Sequence, residues 1–467
     1  WYRYNGCLTW FGMLIQHAQV SGGFADVRIQ DKKIAQVAPE LTPRLQERVI
    51  DAEGALLLPG LHDHHIHLLS LAAQVRSVDC GPPVVTNAQE LRQQLRQAGG
   101  EGWIRGVGYH ESVNGELTAD GLDQLISNRP VRIQHRSGKI WYLNTLALEK
   151  TGIRSATGQL FRSDSLLRTR LSDTSEEILD SLAEVSTTLA SYGVTGVTDA
   201  TYTNDEESRS LLRRRKLKQS IVFMGSEALE GSGHLKIMLD DASLPPFEDL
   251  ELRINNAHMN NRPVAFHCVT KVEIVYALSA VRSVGSLRGD RIEHASVVDS
   301  ESMALIRELG LTVVTQPNFL FERGRQYLND VDEKEMPYLY RGQGFLDAGV
   351  PLGAGTDAPY GDCNPWVAIH AAVVRKSADG FPMALPERLS PERAIQLFCS
   401  ASDNPGGPPR QIVAGVQADL CLLNSNRDAL YDMLKSRVPD RHVRLTIAAG
   451  EVTYASSRDR WILSHTK

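Results

Sequence analysis

Residues 59–68 read PGLHDHHIHL, and this stretch decides what kind of fold the chain forms. It closes an apolar run that begins at Leu56, so the histidines stand where a short buried strand ends. Alternate side chains of a strand point to the same side, which places His65 and His67 together. Two imidazoles on one face can bind one divalent metal ion. Such a run alone does not separate a metal site from surface or core histidines.

Seven further short apolar runs that end in polar residues follow, alternating with segments of helical composition. This alternation predicts βα units and a parallel sheet, and eight strands are what a closed (β/α)8 TIM barrel requires. One joint is short, because residues 227–233 are too few for a crossover helix. The eight runs are LLLPGLHDHHIH (56–67), GVTGVTDA (193–200), SIVFMGS (220–226), HLKIMLDD (234–241), RPVAFHCV (262–269), DRIEHAS (290–296), LTVVTQPN (311–318) and PLGAGTDAP (351–359).

Four more side chains that can bind a metal or transfer a proton lie near the ends of these runs: Lys236, His267, His294 and Asp357. Their spacings of 31, 27 and 63 residues correspond to one, one and two βα units. Core residues that serve no common site would not be expected to recur at this spacing. A parallel barrel brings the carboxyl ends of its strands to one rim, so we expect these side chains to converge with the two histidines on a single site.

The regions outside these runs divide the chain into predicted domains. Residues 13–58 and 410–467 read as short alternating strands and are expected to form one composite β-sandwich around a barrel domain at 59–409. Residues 68–192 are read as an insertion after barrel strand 1, placed over the active-site face, with strand-like pieces at 103–109 and 129–136. Residues 1–12 precede the regular pattern and are set aside as an upstream extension, native or left by cloning.

Composition excludes several classes of protein. Lys plus Arg number 50 against 56 for Asp plus Glu, a net charge of −6, which gives no reason to expect binding to nucleic acid or anionic membranes. No apolar run reaches the roughly 20 residues that span a bilayer. Six cysteines without a CxxC pair suit a reducing compartment, so we expect a cytoplasmic protein acting on a small molecule. Whether it forms a homo-oligomer is left open.

With these residues in place, the chain resembles the amidohydrolase superfamily of metal-dependent hydrolases. The resemblance rests on xHxH after strand one, Lys after four, His after five and six, Asp after eight, and the closing VAGVQADLCLL (413–423). Three softer motifs resemble the branch that includes N-substituted formamide deformylase: GWIRGVGYHES (102–112), RPVRIQHRSGKIWYLNTLAL (129–148) and GQLFRSDSLLRTRL (158–171). The short segment after Lys236 and the lysine at 139 depart from that branch, so its substrates are not carried over.

The resemblance implies a binuclear metal centre. One ion would be held by His65, His67 and Asp357, the other by His267 and His294, with Lys236 as the bridge. A lysine can bridge two cations only as a carbamate, because an ammonium has no lone pair. The alternative is a structural role for Lys236, in a salt bridge to Asp240 or Asp241. Imidazole and carboxylate accept several divalent ions, and zinc is the expected one.

The expected reaction is hydrolysis of an amide, N-acyl or N-formyl C–N bond by a metal-activated hydroxide, with Asp357 moving the proton. A hydrolytic deaminase on the same barrel is the alternative, but it normally has a Glu shortly after the strand-five His, and here Glu273 comes only six residues after His267. A non-catalytic, metal-free scaffold is a third possibility, disfavoured because all six ligand positions are kept.

Some residues are weaker candidates for substrate contact. Tyr109, Arg136 and Lys139 lie in the insertion, and Asp199 ends the second run; for the first three, a structural role is at least as well supported by the sequence. Eight other histidines are read as ordinary polar or core residues: His62, His64, His110, His135, His234, His258, His370 and His442.

Overall fold

The computed structural model describes residues 12–82, 84–99, 102–163, 166–167, 170, 175–231 and 233–465. Most of the extension set aside at residues 1–12 and part of the motif at 158–171 lie outside this set. The chain divides into two compact units, one comprising Trp1–His67 and Ser186–Lys467, the other Leu68–Val185. The second unit falls within the predicted insertion. The division into a barrel and a sandwich domain stays a prediction, as does the insertion's place over the active-site face.

The first unit begins with a four-stranded sheet in the order β3-β2-β1-β4. Tight turns at 21–22 and 31–32 join the first three strands as antiparallel hairpins, and β4 returns parallel to β1. The strands are β1 (Met13–Val20), β2 (Gly23–Gln30), β3 (Lys33–Ala38) and β4 (Arg48–Asp51).

A second four-stranded sheet combines the two ends of the chain. Its order is β21-β20-β19-β5, with neighbours antiparallel. Apolar residues of both sheets, among them Ile15, Ile29, Leu420 and Ile447, belong to one buried cluster. This arrangement is what a composite sandwich needs, although the sandwich itself is not established by it. The strands are β5 (Leu57–Pro59), β19 (Leu420–Leu423), β20 (Val443–Ala448) and β21 (Glu451–Ala455).

Each of the eight apolar runs contains a strand, and every hydrogen-bonded neighbour pair among these strands is parallel. They form two sheets, β13-β12-β6 and β14-β15-β16-β17-β18, and a parallel bridge joins Gly225 to Leu235. In the part of the chain described, the ladders do not join into one closed barrel. The strands are β6 (Leu61–Ile66), β12 (Val194–Asp199), β13 (Ser220–Phe223), β14 (Leu235–Met238), β15 (Val264–Cys268), β16 (Arg291–His294), β17 (Thr312–Thr315) and β18 (Leu352–Ala354).

Helices follow most of these strands, which makes the first unit a mixed α/β structure. Side-chain caps set several helix starts; Thr270 and Glu273 form a reciprocal capping box at the start of α9. No helix among the described residues is both long and apolar enough to cross a membrane. The helices from 175 onward are α6 (Ser175–Ser191), α7 (Glu206–Arg214), α8 (Phe247–Met259), α9 (Lys271–Val284), α10 (Ser300–Glu308), α11 (Asn318–Asp330), α12 (Gln343–Asp347), α13 (Pro365–Val374), α14 (Pro391–Gln396) and α15 (Arg427–Ser436).

The second unit has a five-stranded sheet of its own, in the order β11-β10-β9-β8-β7. The strand-like pieces predicted at 103–109 and 129–136 are β8 and β9, and their apolar residues form a separate core. The strands are β7 (Val78–Asp79), β8 (Ile104–Tyr109), β9 (Val131–His135), β10 (Ile140–Leu143) and β11 (Gln159–Phe161). The helices are α1 (Leu68–Val75), α2 (Ala88–Gln97), α3 (Glu111–Asn114), α4 (Ala119–Leu125) and α5 (Thr145–Thr151).

Candidate metal centre

Three of the predicted side chains meet where β6 and β18 end. The Nε2 atom of His67 lies 3.0 Å from Oδ1 of Asp357, and the Nε2 atom of His65 lies 3.4 Å from the same oxygen. One ligand atom from each residue falls within 4.8 Å of the other two. Two imidazole nitrogens and a carboxylate oxygen at this separation are a donor set that a divalent ion accepts.

Backbone hydrogen bonds hold these two chain segments together. The amide of Asp357 donates to the carbonyl of His65 at 2.8 Å, and the amide of His67 donates to the carbonyl of Ala358 at 2.8 Å. Gly355 allows this approach, because a Cβ at that position would lie 2.4 Å from the backbone nitrogen of His65. Asp357 itself adopts a left-handed backbone, with φ 56°, which turns its carboxylate toward the histidines.

The other predicted histidines form a second group beside the first. The ring centroids of His267 and His294, on β15 and β16, are 4.5 Å apart, and those of His65 and His294 are 4.9 Å apart. Lys236 is buried on the neighbouring strand β14, and after burial its charge is one of the causes that lower the pKa of His267 and His294. The structure therefore brings all six predicted side chains into one buried region.

Burial decides the protonation of this region. It lowers the pKa of His294 to about 3 and that of His267 well below its usual value, so both imidazoles are neutral at neutral pH. Burial also lowers the pKa of Lys236 to about 8. For Asp357, burial raises the pKa, but the imidazoles of His65 and His67 beside the carboxyl outweigh burial and hold it ionised. Neutral imidazoles and an ionised carboxylate are the forms that bind metal.

A buried carboxylate that the sequence analysis missed orients His65. Oε2 of Glu293 lies 2.5 Å from Nδ1 of His65, while its other oxygen accepts from Arg291. A carboxylate only accepts, so Nδ1 of His65 carries a proton. Burial and the charge of Lys236 lower the pKa of His65, but the carboxylates of Glu293 and Asp357 on its two sides outweigh them and raise it. Nε2, which faces Asp357, can bind a metal once it gives up its proton. The signal was present in DRIEHAS, because two opposite charges two residues apart on a fully buried strand require each other.

Two further polar partners were not anticipated. The carboxylate of Asp63 accepts from the amide and the hydroxyl of Thr356 at 3.0 and 2.6 Å, which fixes the segment that leads to Asp357. Burial raises the pKa of Asp63 to about 6. The hydroxyl of Thr201 lies 2.8 Å from Nδ1 of His67. None of these contacts has a sequence signal, because each joins residues more than 100 positions apart.

The substrate-contact candidates lie in varied surroundings. Asp199 is buried, and its Oδ1 accepts from Asn204 at 2.8 Å. Tyr109 is buried in the core of the second unit, where its hydroxyl donates to the carbonyl of Gly115 at 2.6 Å. Arg136 is half-buried and Lys139 is exposed, both in the turn between β9 and β10. Burial and satisfied hydrogen bonds favour structural roles for Asp199 and Tyr109; the two cations stay predictions.

The buried atoms left without partners show that the site fits a metal. Within the described part of this site, Nζ of Lys236, Nδ1 of His294 and Oδ1 of Asp357 are buried and make no hydrogen bond. Buried polar atoms cost stability unless something satisfies them. Lys236 thus shows no sign of the salt bridge to Asp240 or Asp241 that was its alternative role. His62 and His64 bond through Nε2 to hydroxyls of Thr198 and Ser400 at 2.9 and 3.0 Å, in keeping with their structural interpretation, while Nδ1 of His64 is also buried without a partner.

Comparison with known proteins identifies the class. The sequence model of the amidohydrolase family matches residues 48–454, and the chain belongs to that family. The N-substituted formamide deformylase of Arthrobacter pascens is 24% identical over 94% of this chain and 95% of its own length. The resemblance deduced from the sequence is therefore confirmed. The chain is an enzyme, a hydrolase of the class that acts on carbon–nitrogen bonds other than peptide bonds.

Solved structures share the fold. An uncharacterized metal-dependent hydrolase from Pyrococcus horikoshii has a TM-score of 0.72 and 17% identity, covering 91% of this chain and 99% of its own. Atrazine chlorohydrolase TrzN from Arthrobacter aurescens, in complex with zinc, has a TM-score of 0.57 and 14% identity, covering 97% of this chain and 99% of its own. At these identities the likeness concerns the fold.

Replacing Gly355 with Ala tests the close approach on which the site depends. The added methyl group would meet the backbone of His65, so β6 and the Asp357 segment must separate. We expect a loss of about 1–3 kcal/mol in the free energy of unfolding, together with lost activity. Gly22→Ala is the matched control, because nothing lies within 4 Å of its Cβ position. Equal thermal melting midpoints for both variants would show that the approach is not tight.

Proposed function

We propose that this protein is a metal-dependent amidohydrolase that cleaves an amide, N-acyl or N-formyl C–N bond of a small molecule. One observation carries the proposal: four imidazoles, an ionised carboxylate and a lysine amine without a hydrogen-bond partner, supplied by the ends of five strands, meet in one largely buried region. Such a collection of uncompensated donors is costly for a protein that holds no metal there.

The proposal includes a (β/α)8 barrel as the scaffold. Its support is the chain order of the parallel strands, the bridge from Gly225 to Leu235 between the two sheets, and the backbone bonds that join His65 and His67 to the segment after β18. The composite sandwich at 13–58 and 410–467 belongs to the same proposal. It rests on β5 pairing with β19 and on the apolar cluster shared by the two terminal sheets.

Two divalent ions, expected to be zinc, complete the proposed centre. His65, His67 and Asp357 would hold one ion, and His267 and His294 the other. When bound, the ions would polarise the scissile carbonyl and lower the pKa of a water molecule. Zinc in the related atrazine chlorohydrolase structure supports this choice of metal.

Lys236 is proposed to carry a carboxyl group on Nζ and to bridge the two ions. Its amine is buried with no hydrogen-bond partner, and burial lowers the pKa of Lys236 to about 8 against the opposing charges of Glu293 and Asp357, which increases the share of neutral amine. The neutral amine attacks carbon dioxide and loses one proton, which gives a carbamate with an anionic pair of oxygens. A carbamate beside two dications removes the repulsion that an ammonium would suffer.

Asp357 is the proposed acid and base. Its carboxylate takes one proton from the attacking water and delivers it to the leaving nitrogen, so amide and water become carboxylic acid and amine. His67 and His65 hold this carboxylate in place from one side, and the strained backbone at Asp357 holds it from the other. Glu293 positions His65 without touching the reacting atoms.

The geometry weakens the deaminase alternative. Glu273 is the acid that follows His267, but its carboxylate accepts from the amides of Val269 and Thr270 at 2.6 and 3.1 Å and from Asp241 at 3.1 Å. It is thus committed to capping α9 and to holding the loop after β14. A side chain with these fixed partners is poorly suited to donating a proton to a leaving ammonia.

Replacing Lys236 with Ala is expected to abolish metal loading, because the bridging anion is lost. Elemental analysis of dialysed protein measures this, and a short carboxylic acid added during loading should restore part of the metal. Lys216→Ala, which removes an exposed lysine 89% accessible at its side chain, should leave the metal content unchanged. Full metal content in the Lys236 variant would disprove the bridge.

Asp357→Asn is expected to leave the fold intact and to lower turnover by a factor on the order of 10² to 10⁴, more if metal is also lost. Asp362→Asn removes an exposed carboxylate from the same loop and is the control. Steady-state kinetics with circular dichroism and metal analysis separates these effects. A near-normal rate with normal metal content would place the base elsewhere, with Asp199 and His294 as the next candidates.

The substrate class is tested with a panel of N-acylated and N-formylated amines and amino acids. We expect hydrolysis of at least one of them, with Arg136→Ala and Lys139→Ala lowering kcat/KM through loss of a substrate contact. Arg154→Ala, an exposed arginine of the same unit, is the control. If every active substrate is hydrolysed with unchanged kcat/KM by both variants, the two cations do not bind substrate.

A further inference from the structure

A cavity of about 560 Å³ in the first unit, separate from the proposed metal ligands, has the features of a second binding site. Its size lies in the range of small-molecule pockets. Its lining comes from the start of the loop before β12, the start of α13 and the C-terminal sheet, and includes Tyr192, Asn364, Arg441, His442 and Ser456. The proposed hydrolysis uses none of these residues.

His442 lies at the buried side of this cavity. His442 is only 5% exposed. Its ring packs edge to face on the ring of Trp366, and the two ring centroids are 4.1 Å apart. Trp366 is itself fixed, since its indole donates to the carbonyl of Tyr192 at 3.0 Å. The ring of His442 is therefore held rigidly against the cavity wall.

The ring presents an acceptor that nothing in the described structure satisfies. His442 interacts with the backbone of Pro439 through a hydrogen bond, while its Nε2 is buried and has no partner. Burial lowers the pKa of His442 to about 3, so the ring carries a single proton. Oγ of Ser456, in the same lining, is also buried without a partner. Both atoms are closed off from water, so a ligand reaches them only when the cavity wall shifts, and it must then bring a hydrogen-bond donor to His442.

The rim of the cavity carries an exposed guanidinium. Arg441 and Arg458 line it with one carboxylate, Asp440. Arg458 forms an ion pair with Glu53. Arg441 is exposed, and its backbone carbonyl accepts a hydrogen bond of 3.0 Å from the side chain of Asn424. A guanidinium at the mouth of a pocket favours a carboxylate or phosphate group, which it can bind with two hydrogen bonds.

We infer that this cavity binds a small hydroxylated anion, a hydroxycarboxylate or a sugar phosphate, whose hydroxyl group donates to Nε2 of His442 while its anionic group contacts Arg441. The phenol of Tyr192 and the amide of Asn364 supply further polar contacts for a hydroxylated carbon chain. The site is independent of the proposed hydrolytic function, so each can fail without the other.

Isothermal titration calorimetry of the full chain, in a buffer free of phosphate, tests the inference. The probes are D-glycerate, glycerol 3-phosphate, inorganic phosphate and glycerol. We expect one of the first two to bind with a Kd of about 1 mM or tighter, with inorganic phosphate at least roughly tenfold weaker and glycerol not binding. Glycerate binding would favour a hydroxycarboxylate and glycerol 3-phosphate a sugar phosphate. If neither binds more tightly than inorganic phosphate, the inference is wrong.

Three variants locate the binding. Arg441→Gln and His442→Phe should each weaken binding by about tenfold, the first by removing the cation and the second by removing the acceptor while keeping a ring against Trp366. Arg437→Gln, an exposed arginine outside the lining, should change the affinity less than about twofold. Because Arg441 is exposed, its variant retains the fold even if the His442 variant does not. Unchanged affinity in Arg441→Gln would place the ligand elsewhere, including the metal centre, and overturn the inference.

Discussion

The site depends on one pairing between distant parts of the chain, that of the end of β6 with the segment after β18. Two backbone bonds of 2.8 Å, from Asp357 to His65 and from His67 to Ala358, set the histidines against the carboxylate. Because side chains alternate along a strand, a slip of one residue would turn both imidazoles away. Gly355 permits this register because its missing side chain leaves room for the backbone of His65. The carboxylate of Asp63 stabilises the register by accepting a hydrogen bond from Thr356.

A second constraint is the charge that this region buries. Arg291, Glu293, Lys236 and Asp357 are all nearly inaccessible to water, and each is tolerable only beside the others. Glu293 satisfies Arg291 and His65 together, so the charges behind the donors are matched. Buried atoms without a partner remain on Nη1 of Arg291 and on three proposed metal ligands, Lys236, His294 and Asp357. The protein thus uses its internal hydrogen bonds to orient the donors and leaves the donor atoms themselves available.

Local sequence signals predicted the parallel strands and the six converging side chains well. Each of those side chains is a polar residue closing an apolar run, and strand direction alone fixes where such residues go. Asp63 and Thr201 escaped prediction because their roles depend on partners far away in the sequence, whereas the signal for Glu293 lay two positions away, in Arg291. For Tyr109, the sequence supported a structural role at least as well as a substrate contact, and the structure favours the structural role: the pairing of β8 is irregular near Gly108, whose φ is 73°, and Tyr109 packs in the same core as Ile104. An alternating pattern does not reveal such a bulge.

Barrel closure, the number of ions and the bridging lysine are parts of one claim, that separate strand ends build a binuclear centre. The most direct measurement is the metal content of the wild-type chain, determined by elemental analysis after loading with zinc and exhaustive dialysis. Five imidazole or carboxylate ligands and a bridging lysine exceed what one tetrahedral ion needs, so the account predicts two ions per chain. A fully loaded, active preparation with at most one ion per chain would contradict it and remove the bridging role of Lys236.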